Sequence, residues 1–117
     1  MTARTPDDRR RLLVSRIVSA RQANGPTCFE SDGVAIEYDN RILRLELATS
    51  RREQLETLLD SYHVFKIKQP ETRKAEDGVV YISAVTDAKH AADFIEALFR
   101  ELYGFDEGYE LRATGIE

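Results

Sequence analysis

Two hydrophobic periods alternate along this chain, and the switches between them mark its elements. Leu13, Val14, Ile17 and Val18 recur at helical spacing and form one apolar stripe. Pro6 suits the first helical position, and Asp7 and Asp8 suit the positive end of a helix dipole. The pattern predicts a helix from about Asp7 to Gln22, with Arg9 and Arg16 together on the side away from the stripe. Asn24-Gly25-Pro26 stops it with residues that tolerate left-handed backbone, then a proline. Residues 1–6 carry no pattern and are expected to fray.

Period two then takes over. Thr27 to Ser31 is short and β-prone, and Asp32-Gly33 is a strong two-residue hairpin signal. Val34, Ile36 and Tyr38 alternate with Ala35, Glu37 and Asp39. After a turn at Asp39-Asn40, Leu43, Leu45 and Leu47 alternate with Arg44 and Glu46. These segments predict a three-stranded antiparallel meander with one buried face.

Ser50 and Glu53 have capping-box spacing, and Leu55, Leu58, Leu59 and Tyr62 make the stripe of a second helix, about Ser50 to Tyr62. His63 to Lys68 reads as a strand. His63, Phe65 and Ile67 lie on one side of it, Lys66 and Lys68 on the other. Gln69 to Asp77 is a charged connection. Val79 to Val85 is apolar almost throughout and predicts a central strand covered on both faces. Thr86 or Asp87 caps a third helix, whose stripe is Ala88, Ala91, Ala92, Ile95, Leu98, Phe99 and Leu102. Gly104 ends it. Tyr109, Leu111 and Ala113 alternate, which predicts a last strand at a sheet edge.

The order is α-βββ-α-ββ-α with a possible C-terminal edge strand. It predicts a single α+β domain over residues 1–117: a mostly antiparallel five- or six-stranded sheet with helices packed on it. This order is similar to that of the type III secretion chaperone-like proteins, which are dimeric protein binders, and to that of the roadblock/longin family of small α/β dimers. The resemblance implies a dimer and a protein partner, and it lies in the order of elements alone.

Composition narrows the chemistry. The chain has 117 residues, 42% of them apolar and 32% charged, ordinary values for a soluble globular protein. No apolar run nears the roughly 18 residues of a membrane span, and the arginine-rich start lacks a secretory pattern. The expectation is a cytoplasmic protein that engages no membrane. One cysteine, Cys28, leaves neither an internal disulfide nor a multi-thiolate metal site. The glycines are scattered among turns with no phosphate-loop spacing, and no G-x-S-x-G elbow occurs. No cofactor, metal or enzymatic activity is therefore expected.

His90, with Asp87 and Asp93 three residues to either side, has the spacing to hold a divalent metal or tune a general base. The plainer reading is the solvated face of a helix. His63 reads as a structural histidine and Cys28 as a small buried hydrophobe. An enzyme centred on His90 or His63 stays as a second alternative.

Charge is uneven. The net charge is −4, yet residues 1–24 carry six arginines against Asp7 and Asp8. If the fold gathers Arg9, Arg10, Arg11 and Arg16 with Lys66 and Lys68, they form a phosphate-contacting surface and a nucleic-acid-binding regulator becomes possible. Phe94, off the main helical stripe, together with Phe105 and Tyr109, would make an exposed aromatic patch of the kind interfaces use. The leading expectation is a small non-enzymatic interaction domain in an adaptor or regulatory role, a homodimer with an as yet unidentified protein partner. Nucleic-acid binding through the arginine-rich helix is the alternative.

Overall fold

The computed structural model describes residues 2–68 and 78–115. In chain order the elements are β1 (Thr2–Ala3), α1 (Pro6–Ala23), β2 (Thr27–Ser31), β3 (Val34–Asp39), β4 (Ile42–Glu46), a 3-10 turn (Thr49–Arg51), α2 (Arg52–Asp60), β5 (Lys66–Lys68), β6 (Val79–Ser83), α3 (Ala88–Ala97), a π-helical turn (Leu98–Leu102) and β7 (Leu111–Gly115). The predicted connection at Gln69 to Asp77, with Arg73 and Lys74, lies outside the described residues.

The strands form one seven-stranded sheet in the order β1-β7-β2-β3-β4-β6-β5, antiparallel at every pairing. The α+β architecture agrees with the hydrophobic pattern, in a sheet larger than five or six strands. The β2-β3-β4 meander follows from its turns. Asp32 and Gly33 both adopt positive φ (44° and 83°), matching the twist of a two-residue hairpin. The second turn falls one residue later than expected, at Asn40 and Arg41 (φ 52° and 61°), because Asp39 pairs with Ile42 in the ladder.

One sheet face carries the core. Phe29, Ile36, Tyr38, Leu43, Leu45, Val80, Ile82, Leu111 and Ala113 alternate onto it and are buried against Leu13, Ile17, Leu55, Ile95, Phe99 and their neighbours from the helices. α1 and α3 pack antiparallel to each other: Arg9 meets Glu96, Arg10 meets Asp93 and Arg21 reaches Thr86. Among the described residues the opposite sheet face is open, its side chains half-buried or exposed.

Several local expectations are corrected. Thr2–Ala3 is not frayed: it pairs with β7, and Ala3 is buried. That pairing also removes β7 from the edge, since β7 lies between β1 and β2. α1 starts at Pro6, capped by Thr5 Oγ1, which accepts from the Asp8 amide at 3.2 Å. Its buried stripe is Arg9, Leu12, Leu13, Ile17 and Ala20, whereas Val18 is exposed. The Ser50–Glu53 capping box does not form, because the chain enters α2 through the 3-10 turn and Arg51 occupies the cap position. His63 is exposed in a turn, and the strand there is only Lys66–Lys68. β6 alternates, with Val80 and Ile82 buried and Val79, Tyr81 and Ser83 half-buried on the open face.

Candidate functional site

The predicted basic surface is divided. Arg9 has no exposed surface at all. Its Nε donates to Glu96 Oε1 and Oε2 (3.0 and 3.2 Å) and its Nη2 to Oε2 (2.9 Å), while Nη1 donates to the carbonyls of Arg4 (2.9 Å) and Tyr109 (3.0 Å). The guanidinium lies 4.0 Å from the Tyr109 ring centroid. A charge is tolerated there because the fork is neutralised and every nitrogen has a partner. Burial lowers the pKa of Arg9, but the bonds and charge of Glu96, with a contribution from Tyr109, outweigh it and raise it.

Arg10 is exposed and pairs with Asp93 at 3.0 Å. Arg11 is exposed, and Arg16 is half-buried with its Nε lacking a hydrogen-bond partner. Lys66 and Lys68 are exposed on β5, at the far edge of the sheet, on the open face. The structure thus brings Arg10 and Arg11 together but joins neither Arg9 nor the two lysines to them.

The aromatic patch is likewise corrected. Phe94 is fully buried and stacks on Phe65, with centroids 4.0 Å apart and planes 11° apart. Tyr109 is buried, and its hydroxyl donates to Glu96 Oε1 at 2.5 Å. Burial first, then that carboxylate, raises the Tyr109 pKa well above the ordinary phenol value, with Arg9 and Arg100 opposing. Phe105 is half-buried against Phe99 and Tyr109. These rings fill the end of the core where the π-helical turn widens the helix. There the Tyr103 amide bonds to the Leu98 carbonyl, and the Tyr103 hydroxyl donates to Glu46 O at 2.6 Å. Burial pushes the pKa of Tyr103 up to about 12 against the opposing charge of Arg51.

The carboxylates around His90 are committed elsewhere. Asp87 caps α3, its Oδ1 accepting from the His90 amide at 2.7 Å, and Asp93 pairs with Arg10. The His90 ring is half-buried, edge-on to Phe65 at 5.3 Å, with Nδ1 3.3 Å from Thr86 Oγ1. Among the described residues no three His, Cys, Asp or Glu side chains are grouped to hold a metal, and no helix is long and apolar enough to cross a membrane.

The open sheet face was not singled out from the sequence, although its members are the outward half of each alternation. Ladder register aligns Thr114, Cys28, Glu37, Arg44, Tyr81 and Lys68 in one row across β7, β2, β3, β4, β6 and β5. Ile42 and Ser83 pair beside that row, as do Glu46 and Val79. Cys28, Ile42, Arg44, Val79 and Tyr81 are half-buried. Burial, then Glu30 and Glu37, pushes the Cys28 thiol pKa up, away from nucleophilic character. Arg112 and Glu30 approach to 3.7 Å on the same face.

The chain matches the family of unknown function DUF7975 over residues 1–116 and belongs to it. No curated protein matches it. No solved structure matches it either.

Proposed function

We propose that this chain is a non-enzymatic protein-interaction domain in an adaptor or regulatory role, and that two copies associate through the open faces of their sheets. The observation that carries the reading is the row Cys28–Glu37–Arg44–Tyr81, in which the acid on β3 adjoins the base on β4. Face-to-face sheets related by a two-fold axis must have that axis in the plane between them. An axis parallel to the strands and between β3 and β4 turns β3 of one copy over β4 of the other. Glu37 then opposes Arg44 of the second copy, twice by symmetry, and Cys28 opposes Tyr81. The face is therefore complementary to itself, which favours this partner over a chance one.

Its size sets the strength. With the axis between β3 and β4 the six strands from β7 to β5 overlap; about 4.8 Å apart and about five residues long at roughly 3.4 Å each, they span ~24 by ~17 Å. Two such faces bury about 800 Å², at the smallest, transient end of specific interfaces. A reversible, concentration-dependent dimer is expected. Light scattering over a concentration series tests it. The mass should rise from 13.4 kDa toward twice that value. Glu37→Arg should hold it at the monomer value, and Glu37→Arg combined with Arg44→Glu should restore the rise. A mass fixed at 13.4 kDa up to millimolar protein would refute the association.

A further inference from the structure

The helical side of the molecule carries a second feature that neither the core nor the sheet face uses. Where α1 runs antiparallel to α3, a groove of about 500 Å³ is lined by Asp7, Arg10, Arg11, Val14, Ser15 and Lys89. Val14 is half-buried on α1, and Val18, one turn further along, is 39% exposed. Val85, next to the Thr86 carbonyl that Arg21 reaches from the end of α1, is 58% exposed. Among the described residues the exposed large apolar side chains are Val18, Val64 and Val85. Val18 lies along the α1–α3 seam, on α1 between Val14 of the groove and Arg21.

Charge surrounds this apolar floor asymmetrically. Three bases line the groove against one acid, Asp7, in a protein whose net charge is −4. Arg10 is engaged by Asp93. Arg11 and Lys89 belong to none of the ion pairs among the described residues. Lys89 also stands in the first turn of α3, which has no acidic residue and where the helix dipole disfavours a cation. Lys89 beside Arg11 gives a positive rim beside Val14.

We infer that this groove binds a short segment of a partner protein that presents an aspartate or glutamate beside an apolar side chain. The carboxylate meets Arg11 and Lys89, and the apolar side chain lies on Val14 and Val18. Amphipathic segments are recognised in this way by grooves between helices, with apolar anchors for affinity and rim charges for register and specificity. The inference rests on the reading of this chain as an interaction domain and adds the chemistry of its partner.

The test is selection of a random heptapeptide display library on the full chain, counter-selected on Arg11→Glu with Lys89→Glu. Enriched peptides should pair acidic with apolar residues. A labelled enriched peptide should bind in fluorescence anisotropy at low salt and lose at least tenfold in affinity on the double substitution. It should lose a similar factor when its acids become Asn and Gln. Both substituted side chains are exposed, and the gain of Lys89→Glu at the start of α3 is offset by the like charge that Arg11→Glu sets four residues after Asp7, so the variant should melt within about 2 °C of the parent. Failure to enrich any peptide, enrichment of peptides without acids, or affinity unchanged in the variant would each overturn the assignment. The variant's mass series reads the sheet-face association separately, so the two proposals fail independently.

Discussion

Arg9→Met is the sharpest test of how the molecule is held together. The substitution keeps most of the stem and deletes a guanidinium with zero exposure and five hydrogen bonds. It leaves Glu96, whose side chain is 24% exposed, facing a lost cation, and the carbonyls of Arg4 and Tyr109 without that donor. Breaking a buried pair from one side costs about 3–5 kcal/mol, because an uncompensated charge remains. Partial solvent access to Glu96 argues for the lower end, about 3 kcal/mol. At about 2.1 cal/mol/K per residue, a 117-residue chain has an unfolding entropy near 0.25 kcal/mol/K, so the melting temperature should fall by about 12 °C. Adding Glu96→Leu should recover ~1–3 kcal/mol of the summed single losses, since the charge left behind is gone. Urea unfolding of the four proteins in a double-mutant cycle gives both numbers. A single loss below about 1 kcal/mol, or strict additivity, would show that Arg9 is packed there without being needed.

Two further outcomes follow from the backbone and the tyrosines. Arg41 sits at φ 61° in a turn position that favours glycine, and its carbonyl accepts from the Ala84 amide at 2.8 Å. Arg41→Gly keeps that bond, relieves about 1 kcal/mol of strain and returns part of it as chain entropy; the net gain of about 0.5 kcal/mol should raise the melting temperature by ~2 °C, and an unchanged or lower value would argue against strain. Tyr103 and Tyr109 have folded-state pKa values above the unfolded value near 10, about 12 for Tyr103. The unfolded chain therefore loses these protons first. The stability they contribute is complete below about pH 10 and falls as pH rises through the folded values. Absorbance titration should show these tyrosines ionising late, together with loss of circular dichroism; five tyrosines titrating together near pH 10 in a folded protein would contradict their burial.

The parts of this fold legible in the sequence are those set by neighbours in the chain. Asp32-Gly33 specifies its own hairpin, and the Ala91, Ala92, Ile95, Leu98 and Phe99 stripe specifies the face of α3 that packs inward. The rest depends on distant partners. Arg9 falls on the buried stripe with Leu13 and Ile17, but only Glu96, 87 positions away, makes a charge tolerable there. Phe94 lies off the main stripe of α3, yet Phe65 and Tyr62 cover that second side, and local periodicity does not foresee a helix packed on two flanks. Strand β7 has an alternation like any edge strand, and its inner position is decided by two residues at the other end of the chain. The sheet-face row needed register across six strands, although Glu37 and Arg44 were visible separately as outward residues.

The placement of β7 between β1 and β2 has a cost during synthesis. Its partners Ala3 and Phe29 precede it by more than eighty positions, so the sheet closes by contacts of high sequence separation, which are slow to form. At a translation rate of about 5–20 residues per second, β2 waits roughly 4–17 s for the strand that completes it. Throughout that interval the nascent protein presents an unpaired β2 edge, and Arg9 lacks Glu96 for most of it and the Tyr109 carbonyl until shortly before its end. The newborn chain is thus open to mispairing along β2 for seconds before its last strand arrives.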